Sequence, residues 1–516
     1  MRTRAHQLSR TCRLVPYVAA LLFLGPAVLQ AAPEPFAGVE FPVAGRPVEV
    51  WTGHFSEGCN EQGEDLFVLA VEGKPPDERR RVVLLPCHGT APSDLRVFEL
   101  GPDVVAVDSD PQGHRLLMLE PEGLEFADLA DPTARTRLPF PGGLPLIPRS
   151  RGISRIPMVG PWGVDGGAGA LLPTLTGASS VDFGSGEFSP IRLPLLADYG
   201  KQAPGLPDPS DPFLSAQFTW PLLVAGEDDG APGSDLFALN RWNLAVFRRA
   251  DGRLPREASR SVRLRPFEAD QETRPEQSET VYRAIDLNSD GLTDLAMHRS
   301  WGSLMRGHSS TVIYLNHGAG ANPDGPPDAR RELKDGFSSL EFMDLDGDGW
   351  LEGVETSLEF GLIQAVRMLL TRSGKATLTI LALSQSEPYR LTAVWKQDIR
   401  FKLDFAEARV QGLYPILTTD WNADGRNDIL FLDSDGELSI RLGKATRKGI
   451  GFGPDAGRQE IPMRAGRSSE ADLNGDGLED LILFDPRNSQ GNIWVYYNRG
   501  ALPGTPALPE FKAPKN

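Results

Sequence analysis

The sequence has few of the side chains on which redox, zinc and hydrolytic chemistry depend. Among its 516 residues are three cysteines and seven histidines. It contains no HExxH motif, no G-x-S-x-G motif and no phosphate-binding P-loop. These absences give no support to a zinc protease, a serine hydrolase with a nucleophile elbow, or a P-loop nucleotide enzyme.

Basic residues are also scarce compared with acidic ones. The chain has 53 Lys and Arg against 70 Asp and Glu, a net charge of −17 at pH 7. No block of basic residues is present that could neutralise a row of phosphates. Nucleic acid is therefore excluded as a partner.

Long apolar runs are absent except at the amino terminus. Four arginines in the first thirteen residues precede an apolar stretch from Leu14 to Leu24, which is typical of a secretory signal. We predict that residues 1–31 are a signal peptide cleaved after Ala31, and that its removal lowers the net charge from −17 to −21. The run is shorter than the roughly 20 apolar residues of a membrane span. We therefore expect the mature chain to have no transmembrane segment and to reside in the periplasm or outside the cell.

The mature chain keeps two cysteines, Cys59 and Cys87, because Cys12 lies inside the signal. An even pair in an exported chain favours a disulfide, which would stabilise the fold by roughly 3 to 4 kcal/mol. Two free buried thiols are the alternative.

An acidic motif, D-x-[DN]-x-D-G-x-x-[DE], occurs four times. The copies are Asp286–Asp294, Asp344–Glu352, Asp420–Asp428 and Asp472–Asp480, with starts 58, 76 and 52 residues apart. Each is preceded by an apolar segment and followed by a short run of β-forming residues, a turn and another strand. This spacing is close to the length of one four-stranded propeller blade with its loops, and the middle interval carries an insertion.

Four further units precede these motifs; we expect them to keep the strand-loop-strand rhythm but to lack the ligand carboxylates. They surround Gly53–Leu66, Val107–Leu119, Gly160–Leu172 and Gly226–Leu236. We therefore predict an all-β fold, a β-propeller of eight four-stranded antiparallel blades, with seven as the alternative. A single domain would span 32–500, with degenerate repeats in 53–270 and acidic repeats in 275–500. Residues 36–45 or the tail 501–516 would supply the closing strand, and Arg249–Ser278 reads as a loop.

The acidic motifs have the composition of a calcium loop. Calcium takes six to eight oxygen ligands, and side chains at positions 1, 3 and 5 of a tight loop can converge on one point. Position 6 is glycine, position 7 would offer its backbone carbonyl, and position 9 would close the shell. The predicted ligands, for about four Ca²⁺ ions, are Asp286, Asn288, Asp290, Leu292, Asp294, Asp344, Asp346, Asp348, Trp350, Glu352, Asp420, Asn422, Asp424, Arg426, Asp428, Asp472, Asn474, Asp476, Leu478 and Asp480.

Two other interpretations of the loops remain. Acidic Asx-rich turns without metal have similar composition, although thirteen crowded carboxylates would then raise one another's pKa. An EF-hand needs helices on both sides and an acid at position 12, which only the second loop has, as Glu355. Oxygen-only ligands argue against zinc and copper, and magnesium would keep more of its waters.

These loops resemble the calcium loops of FG-GAP/VCBS repeat proteins, the family that includes the propeller head of integrin α chains. The resemblance covers roughly residues 275–500 and is nearer the bacterial VCBS form. It implies that each loop links two adjacent strands of a blade and that the ion is mainly structural. It implies no catalytic residue.

The export signal, the repeat scaffold and the lack of a catalytic motif favour a non-enzymatic binding module for an unknown protein or glycan, and we expect a monomer. Exposed tryptophans such as Trp301, Trp395 or Trp421 could stack on such a ligand, although packing between blades is the commoner role of tryptophan.

Two alternative functions remain. One is a polysaccharide lyase, in which His298, His308 and His317 would form a basic patch with Arg299 and Arg306. The other is a docking subunit of a cell-envelope complex.

Overall fold

The structure is a computed structural model, and its described part runs from residue 34 to residue 506 with internal gaps. The gaps are 57–62, 74–76, 88, 90, 142–152, 175, 201–214, 232, 266, 268–277, 304–305, 335, 360–369, 405–408, 412–413, 433–436, 462–466 and 488–490. The predicted signal peptide, Cys59 and most of the tail after residue 500 lie outside the described residues. Residues 34–516 belong to one compact unit.

The described chain is built almost entirely of β-strands. The first strand is β1 (Phe36–Pro42), and the sheets follow in chain order. Blade 1 contains β2 (Arg46–Gly53), β3 (Asp65–Glu72), β4 (Arg79–Leu85) and β5 (Arg96–Leu100). Blade 2 contains β6 (Ala106–Asp110), β7 (Arg115–Glu120), β8 (Gly123–Asp128) and β9 (Arg135–Pro139), and β10 (Ser154–Arg155) pairs in parallel with β6. Blade 3 contains β11 (Val159–Gly160), β12 (Gly169–Thr174), β13 (Gly177–Asp182) and β14 (Phe188–Ile191).

A two-stranded hairpin separates blade 3 from blade 4. It consists of β15 (Leu196–Gly200) and β16 (Ser215–Thr219). Blade 4 contains β17 (Leu222–Gly226), β18 (Asp235–Leu239), β19 (Asn243–Phe247) and β20 (Arg260–Arg263). Because β20 lies within Arg249–Ser278, the prediction that this stretch is a loop is wrong for its middle part.

The last four blades carry the acidic motifs. Blade 5 contains β21 (Ser278–Ile285), β22 (Asp294–Ser303), β23 (Arg306–Tyr314) and β24 (Ala329–Lys334). Blade 6 contains β25 (Gly336–Met343), β26 (Glu352–Glu359), β27 (Ser373–Leu383), β28 (Leu391–Asp404) and an extra β29 (Arg409–Gln411). Blade 7 contains β30 (Tyr414–Ile416), β31 (Ile429–Leu432), β32 (Glu437–Thr446) and β33 (Gly449–Glu460). Blade 8 contains β34 (Arg467–Ala471), β35 (Asp480–Phe484) and β36 (Asn492–Asn498), with β1 at its edge.

The amino-terminal strand closes the ring. β1 runs antiparallel to β36, with Phe36 opposite Asn498 and Pro42 opposite Asn492. The last blade is therefore completed by the first strand of the chain, as predicted for residues 36–45. An edge that would otherwise expose unpaired backbone groups is thereby paired.

The alternating direction of side chains along each strand explains why the blades stack into a ring. In β3, Leu66, Val68 and Ala70 pack against blade 8, whereas Phe67, Leu69 and Val71 pack against blade 2. Successive strand residues face opposite sides of a sheet, so a strand buried on both sides needs a continuous apolar run.

The same division recurs at every junction between blades. The described buried residues form eight hydrophobic clusters, one between each pair of consecutive blades and one joining blade 8 to blade 1. The prediction of an eight-blade propeller with four-stranded antiparallel blades is confirmed.

Helices contribute little to the described structure. Two one-turn 3-10 helices occur in it, Pro92–Asp94 and Val164–Gly166. No helical segment of the described residues is long and apolar enough to cross a membrane.

Candidate metal-binding loops

The four acidic motifs occupy equivalent positions in blades 5 to 8. Each connects the first strand of its blade to the second, as between β21 and β22. The four degenerate units found in the sequence fall at the same connection in blades 1 to 4. All eight loops therefore occupy the same place in their blades.

Position 1 and position 6 are joined by the same hydrogen bond in all four loops. The N–H of the position-6 glycine donates to Oδ2 of the position-1 aspartate, from Gly291 to Asp286 at 2.8 Å, Gly349 to Asp344 at 2.9 Å, Gly425 to Asp420 at 2.6 Å and Gly477 to Asp472 at 2.8 Å. These glycines have φ between 83° and 86°, a conformation that side-chain-bearing residues rarely adopt. Glycine is needed here for its backbone conformation, since a Cβ on Gly291, Gly425 or Gly477 would meet no atom within 4 Å.

Position 5 is fixed in a similar way. Its Oδ1 accepts the N–H of position 7 in each loop, from Leu292 to Asp290 at 2.8 Å, Trp350 to Asp348 at 2.8 Å, Arg426 to Asp424 at 3.1 Å and Leu478 to Asp476 at 2.9 Å. This bond uses only the backbone of position 7, so that side chain is free to vary. In the second loop, carboxylate oxygens of Asp344, Asp346 and Asp348 lie within 4.8 Å of one another.

The side-chain oxygens at position 3 provide the best test of whether the loops fit a cation. Four side-chain oxygens in the described part of the chain are buried without a hydrogen-bond partner: Ser56 Oγ, Glu227 Oε1, Asp346 Oδ1 and Asn422 Oδ1. Asp346 and Asn422 are the position-3 residues of the second and third loops. A buried oxygen without a partner is costly, and a bound cation would supply one. The donor set, oxygens alone, fits a hard cation of the calcium type.

Position 9 has a different role, because its acid ties the loop to the rest of the blade. Asp294 accepts the N–H of Leu287 at 2.9 Å and that of Asn316, just after β23, at 2.7 Å. Asp428 and Asp480 repeat this pair of bonds, and Glu352 repeats the first. The position-9 acid therefore joins the start of the loop to the third strand.

The position-9 acids also have strongly raised pKa values. Burial, together with the smaller effect of the carboxylates at positions 1 and 5, raises the pKa of Asp294, Glu352 and Asp428 to about 7. Burial likewise raises the pKa of Asp480 well above its ordinary value. A divalent cation would offset this crowding of negative charge.

Loops of consecutive blades are hydrogen-bonded to one another through their backbones. Position 8 donates its N–H to a carbonyl at position 1 or 2 of the preceding loop, as from Leu351 to Leu287 O at 3.0 Å and from Asn427 to Leu345 O at 2.9 Å. The third and fourth loops are linked by the Asn498 side-chain amide, which donates to Trp421 O at 2.9 Å and to Glu479 O at 3.3 Å. The four loops form a continuous arc in which each supports the next.

A fifth acid set, in blade 4, was missed by the sequence analysis. Carboxylate oxygens of Glu227, Asp229 and Asp235 lie within 4.8 Å of one another, at the spacing of positions 1, 3 and 9. The prediction that the amino-terminal units lack the acids is wrong for this unit. A search that allowed glutamate at position 1, no acid at position 5 and no glycine at position 6 would have found it. Arg248 Nη1 lies 3.3 Å from Asp229, so a guanidinium already faces part of this set.

Blade 1 has an acid in the position-9 role, Asp65. Asp65 accepts the N–H groups of Phe55 at 2.9 Å, Ser56 at 2.6 Å and Cys87 at 3.0 Å. Cys87 is disulfide-bonded, and its pairing with Cys59 stays a prediction because Cys59 lies outside the described residues. Asp65 thus makes the kind of backbone bonds that the position-9 acids make, which agrees with a structural role.

The three histidines expected to form a basic patch are not brought together. His298 lies opposite Thr311 and Trp301 lies opposite His308 across β22 and β23. Because residues 298 and 301 are an odd number apart in one strand, His298 and His308 project from opposite faces of the sheet. His317 follows the end of β23 and is exposed, 3.3 Å from Asp328.

His298 is a buried structural histidine. It is 6% exposed, with Nδ1 2.9 Å from Thr311 Oγ1 and Nε2 2.7 Å from Ser338 O. Both ring nitrogens are therefore occupied by neighbouring protein groups, which leaves no free base for proton abstraction.

Two further candidates from the sequence are part of the packing. Glu355, the only acid at an EF-hand position 12, is 2% exposed in β26 and pairs with Arg331 at 2.6 Å. Strands flank every loop, so the EF-hand alternative is wrong.

Trp421 is fully buried against Phe36, and Trp395 packs edge-on to Phe452 at 4.9 Å. Of the three tryptophans, Trp301 is half-buried and stacks on His308.

Comparisons with known proteins give no family. No family model matches the chain, and no curated protein matches it. Among solved structures, the WD40 domain of SCAP from fission yeast is similar, with a TM-score of 0.37 and 9% identity, over 91% of this chain and 96% of that chain. The C-terminal WD40 domain of Sif2 is similar with a TM-score of 0.30 and 10% identity, over 83% and 99% of the two chains. At these scores the likenesses carry no argument about function, and the chain's own eight blades establish it as a β-propeller.

Proposed function

We propose that this protein is an exported β-propeller that is stabilised by about four calcium ions and acts as a non-enzymatic scaffold for binding a protein or a glycan. The observation that carries the calcium part is the repetition of one hydrogen-bonded loop in four consecutive blades. Two of those loops bury a position-3 oxygen that has no partner in the described structure. The FG-GAP/VCBS repeats that these loops resemble use calcium in a structural role.

The side chains at positions 1, 3, 5 and 9, with the carbonyl of position 7, would hold each ion. Calcium would supply positive charge to carboxylates whose pKa is raised by burial, and thereby keep them ionised. Because the loops are hydrogen-bonded from blade to blade, each ion would stabilise more than its own blade.

A binding role fits the architecture better than catalysis does. A closed ring of eight packed interfaces is a rigid support, and binding surfaces commonly form on loops held by such a support. The candidate base for a lyase, His298, is buried and hydrogen-bonded. The geometry therefore favours a scaffold over an enzyme.

Export is supported by the amino-terminal sequence and by Cys87. A disulfide-bonded cysteine is typical of an oxidising compartment, and we propose Cys59 as its partner. The disulfide would then connect the loop between β2 and β3 to the residue that follows β4.

The binding role is tested by screening the mature protein on glycan and protein arrays in millimolar calcium and in chelator. We expect a ligand that is retained in calcium and lost in chelator. The control is a variant with Asp286, Asp344, Asp420 and Asp472 all changed to Asn, which should behave in calcium as the wild type does in chelator. Binding to no ligand, or equal binding of the wild type in both conditions, would count against a calcium-dependent scaffold.

A further inference from the structure

A cleft of about 590 Å³ lies where blades 6, 7 and 8 meet. Its walls come from β25 to β28 of blade 6, from β30 and the two residues after it in blade 7, and from β34 of blade 8. The volume lies within the range of roughly 300 to 1,000 Å³ that is usual for small-molecule sites. None of the predicted calcium ligands lines it.

The cleft has an apolar floor and a polar rim. Four floor residues are at most 7% exposed: Val354, Ala376, Ile399 and Leu417. Four rim residues are exposed: Ser339, Glu341, Thr418 and Ser468. A ligand would therefore insert an apolar body and leave a polar group at the rim.

The strand lengths explain why this junction between blades contains a cleft. In blade 6, β27 has 11 residues and β28 has 14, whereas β30 and β31 of blade 7 have three and four. Leu358 and Phe401 pack against the core shared by blades 6 and 7 but remain partly exposed in the cleft. Partly exposed large apolar side chains inside a concave surface commonly mark a binding site.

The charge of the residues that line the cleft indicates which polar group a ligand would carry. The lining includes two acids, Glu341 and Glu470, and no Lys, Arg or His. Glu341 already faces Arg283, 3.6 Å away. Glu470 Oε2 accepts a hydrogen bond from Thr418 Oγ1 at 3.3 Å, and the described residues contain no ion pair to it. An ammonium group has three donors and no acceptor, and so matches a carboxylate beside a hydroxyl.

We propose that this cleft binds small amphipathic amines, with the apolar body on the floor between blades 6 and 7 and the ammonium group at Glu470. This inference is independent of the proposed calcium role. It assigns a ligand class to a surface formed by the strands that lead into the acidic loops.

The test uses 4-phenylbutylammonium and its uncharged counterpart 4-phenylbutan-1-ol, titrated into the full mature protein by calorimetry in calcium buffer at pH 7. We expect the amine to bind and the alcohol to bind about tenfold more weakly, because it lacks a charge-assisted hydrogen bond. The Glu470→Gln variant should lose about tenfold in amine affinity and leave alcohol affinity unchanged.

Glu341→Gln is the matched control, since it removes the other acid of the lining. It should leave both affinities within about twofold. Ala376→Leu, which fills the floor, should weaken both ligands, with folding checked by its thermal melt. No binding of the amine at millimolar concentration, or equal binding of the amine to the wild type and Glu470→Gln, would overturn the proposal.

Discussion

At the scale of single residues, the acidic loops combine two functions that the sequence motif does not separate. The residues at positions 1 and 5 accept hydrogen bonds from the loop's own backbone, while position 9 bonds the loop to the blade. Asp65 of blade 1 makes the same kind of backbone bonds as the position-9 acids do. Loss of an acid at position 5 and loss of the acid at position 9 should therefore have different consequences.

Replacing Asp476 by Asn should weaken calcium binding at the last loop by about tenfold or more, since one charged ligand is lost. The amide oxygen can still accept the N–H of Leu478, so the calcium-free fold should be little affected. Hydrogen exchange in calcium should increase in blade 8 and stay unchanged in blades 2 and 3. Asp485→Asn, an acid of the same blade outside the loop, is the control. Unchanged exchange in Asp476→Asn would contradict a calcium ligand at this position.

Replacing Asp65 by Ala should destabilise the protein by about 3 kcal/mol, because three backbone N–H groups in a buried site lose their acceptor. The loss should be the same in calcium and in chelator. Denaturant unfolding under both conditions measures it. If the loss appeared only in calcium, Asp65 would be acting as a metal ligand.

At the scale of strands, closure by β1 and the long hairpins of blades 6 and 7 shape the molecule. Strand existence was predictable from β-forming runs between turn signals, whereas the sequence left the closing strand open between residues 36–45 and the tail 501–516. The placement of His298 and His308 on opposite faces of the sheet was harder to predict from the sequence, because it depends on the register of β22 against β23. The β15–β16 hairpin was not predicted, and the cleft depends on the lengths of β27 and β28 relative to β30.

Replacing Phe41 by Ala tests whether β1 closes the ring. Phe41 is fully buried in the cluster that joins blade 8 to blade 1, so the change should cost about 3 to 5 kcal/mol of unfolding free energy. Val39→Ala, in the same strand but only partly buried, should cost less. Equal losses in the two variants would mean that β1 does not pack into the ring as described.

The β32–β33 hairpin provides a prediction about pH. Burial alone would raise the pKa of Asp455, but hydrogen bonds from Arg441 and Arg458 outweigh it and hold the pKa below its ordinary value. A carboxyl whose pKa is lower in the folded state than in the unfolded state stabilises the fold at pH values above its unfolded pKa of about 4. This stabilisation is lost as the pH falls through the folded-state pKa.

Asp455→Asn should therefore cost less than about 1 kcal/mol at pH 7, because the pair is largely solvated. The difference from the wild type should shrink as the pH falls below the ordinary Asp pKa of about 4. Urea unfolding across this pH range measures it. A difference that grew on acidification would have the wrong sign for this interaction.

At the scale of the whole molecule, the ring is continuous in its core and asymmetric in its charge. Eight hydrophobic clusters join the blades, while the full acidic motif is confined to blades 5 to 8. The recurrence of the motif and of four degenerate units made eight blades the preferred prediction, since the same connection recurs in each blade. The blade 4 acids escaped notice because Glu227 and Ala231 depart from the motif, although the fold places the remaining acids as in the other loops.

The calcium account is tested most directly by measuring calcium content and thermal stability on the same sample of mature protein. Elemental analysis after exchange into calcium-free buffer should find calcium as the bound metal, at about four ions per chain when the sites are filled. Because an ion that binds only the folded state stabilises it by mass action, the melting temperature should be higher in millimolar calcium than in chelator. A protein that contains no calcium and melts at the same temperature in both buffers would contradict the account, and the acidic loops would then be turns closed by their own backbone hydrogen bonds.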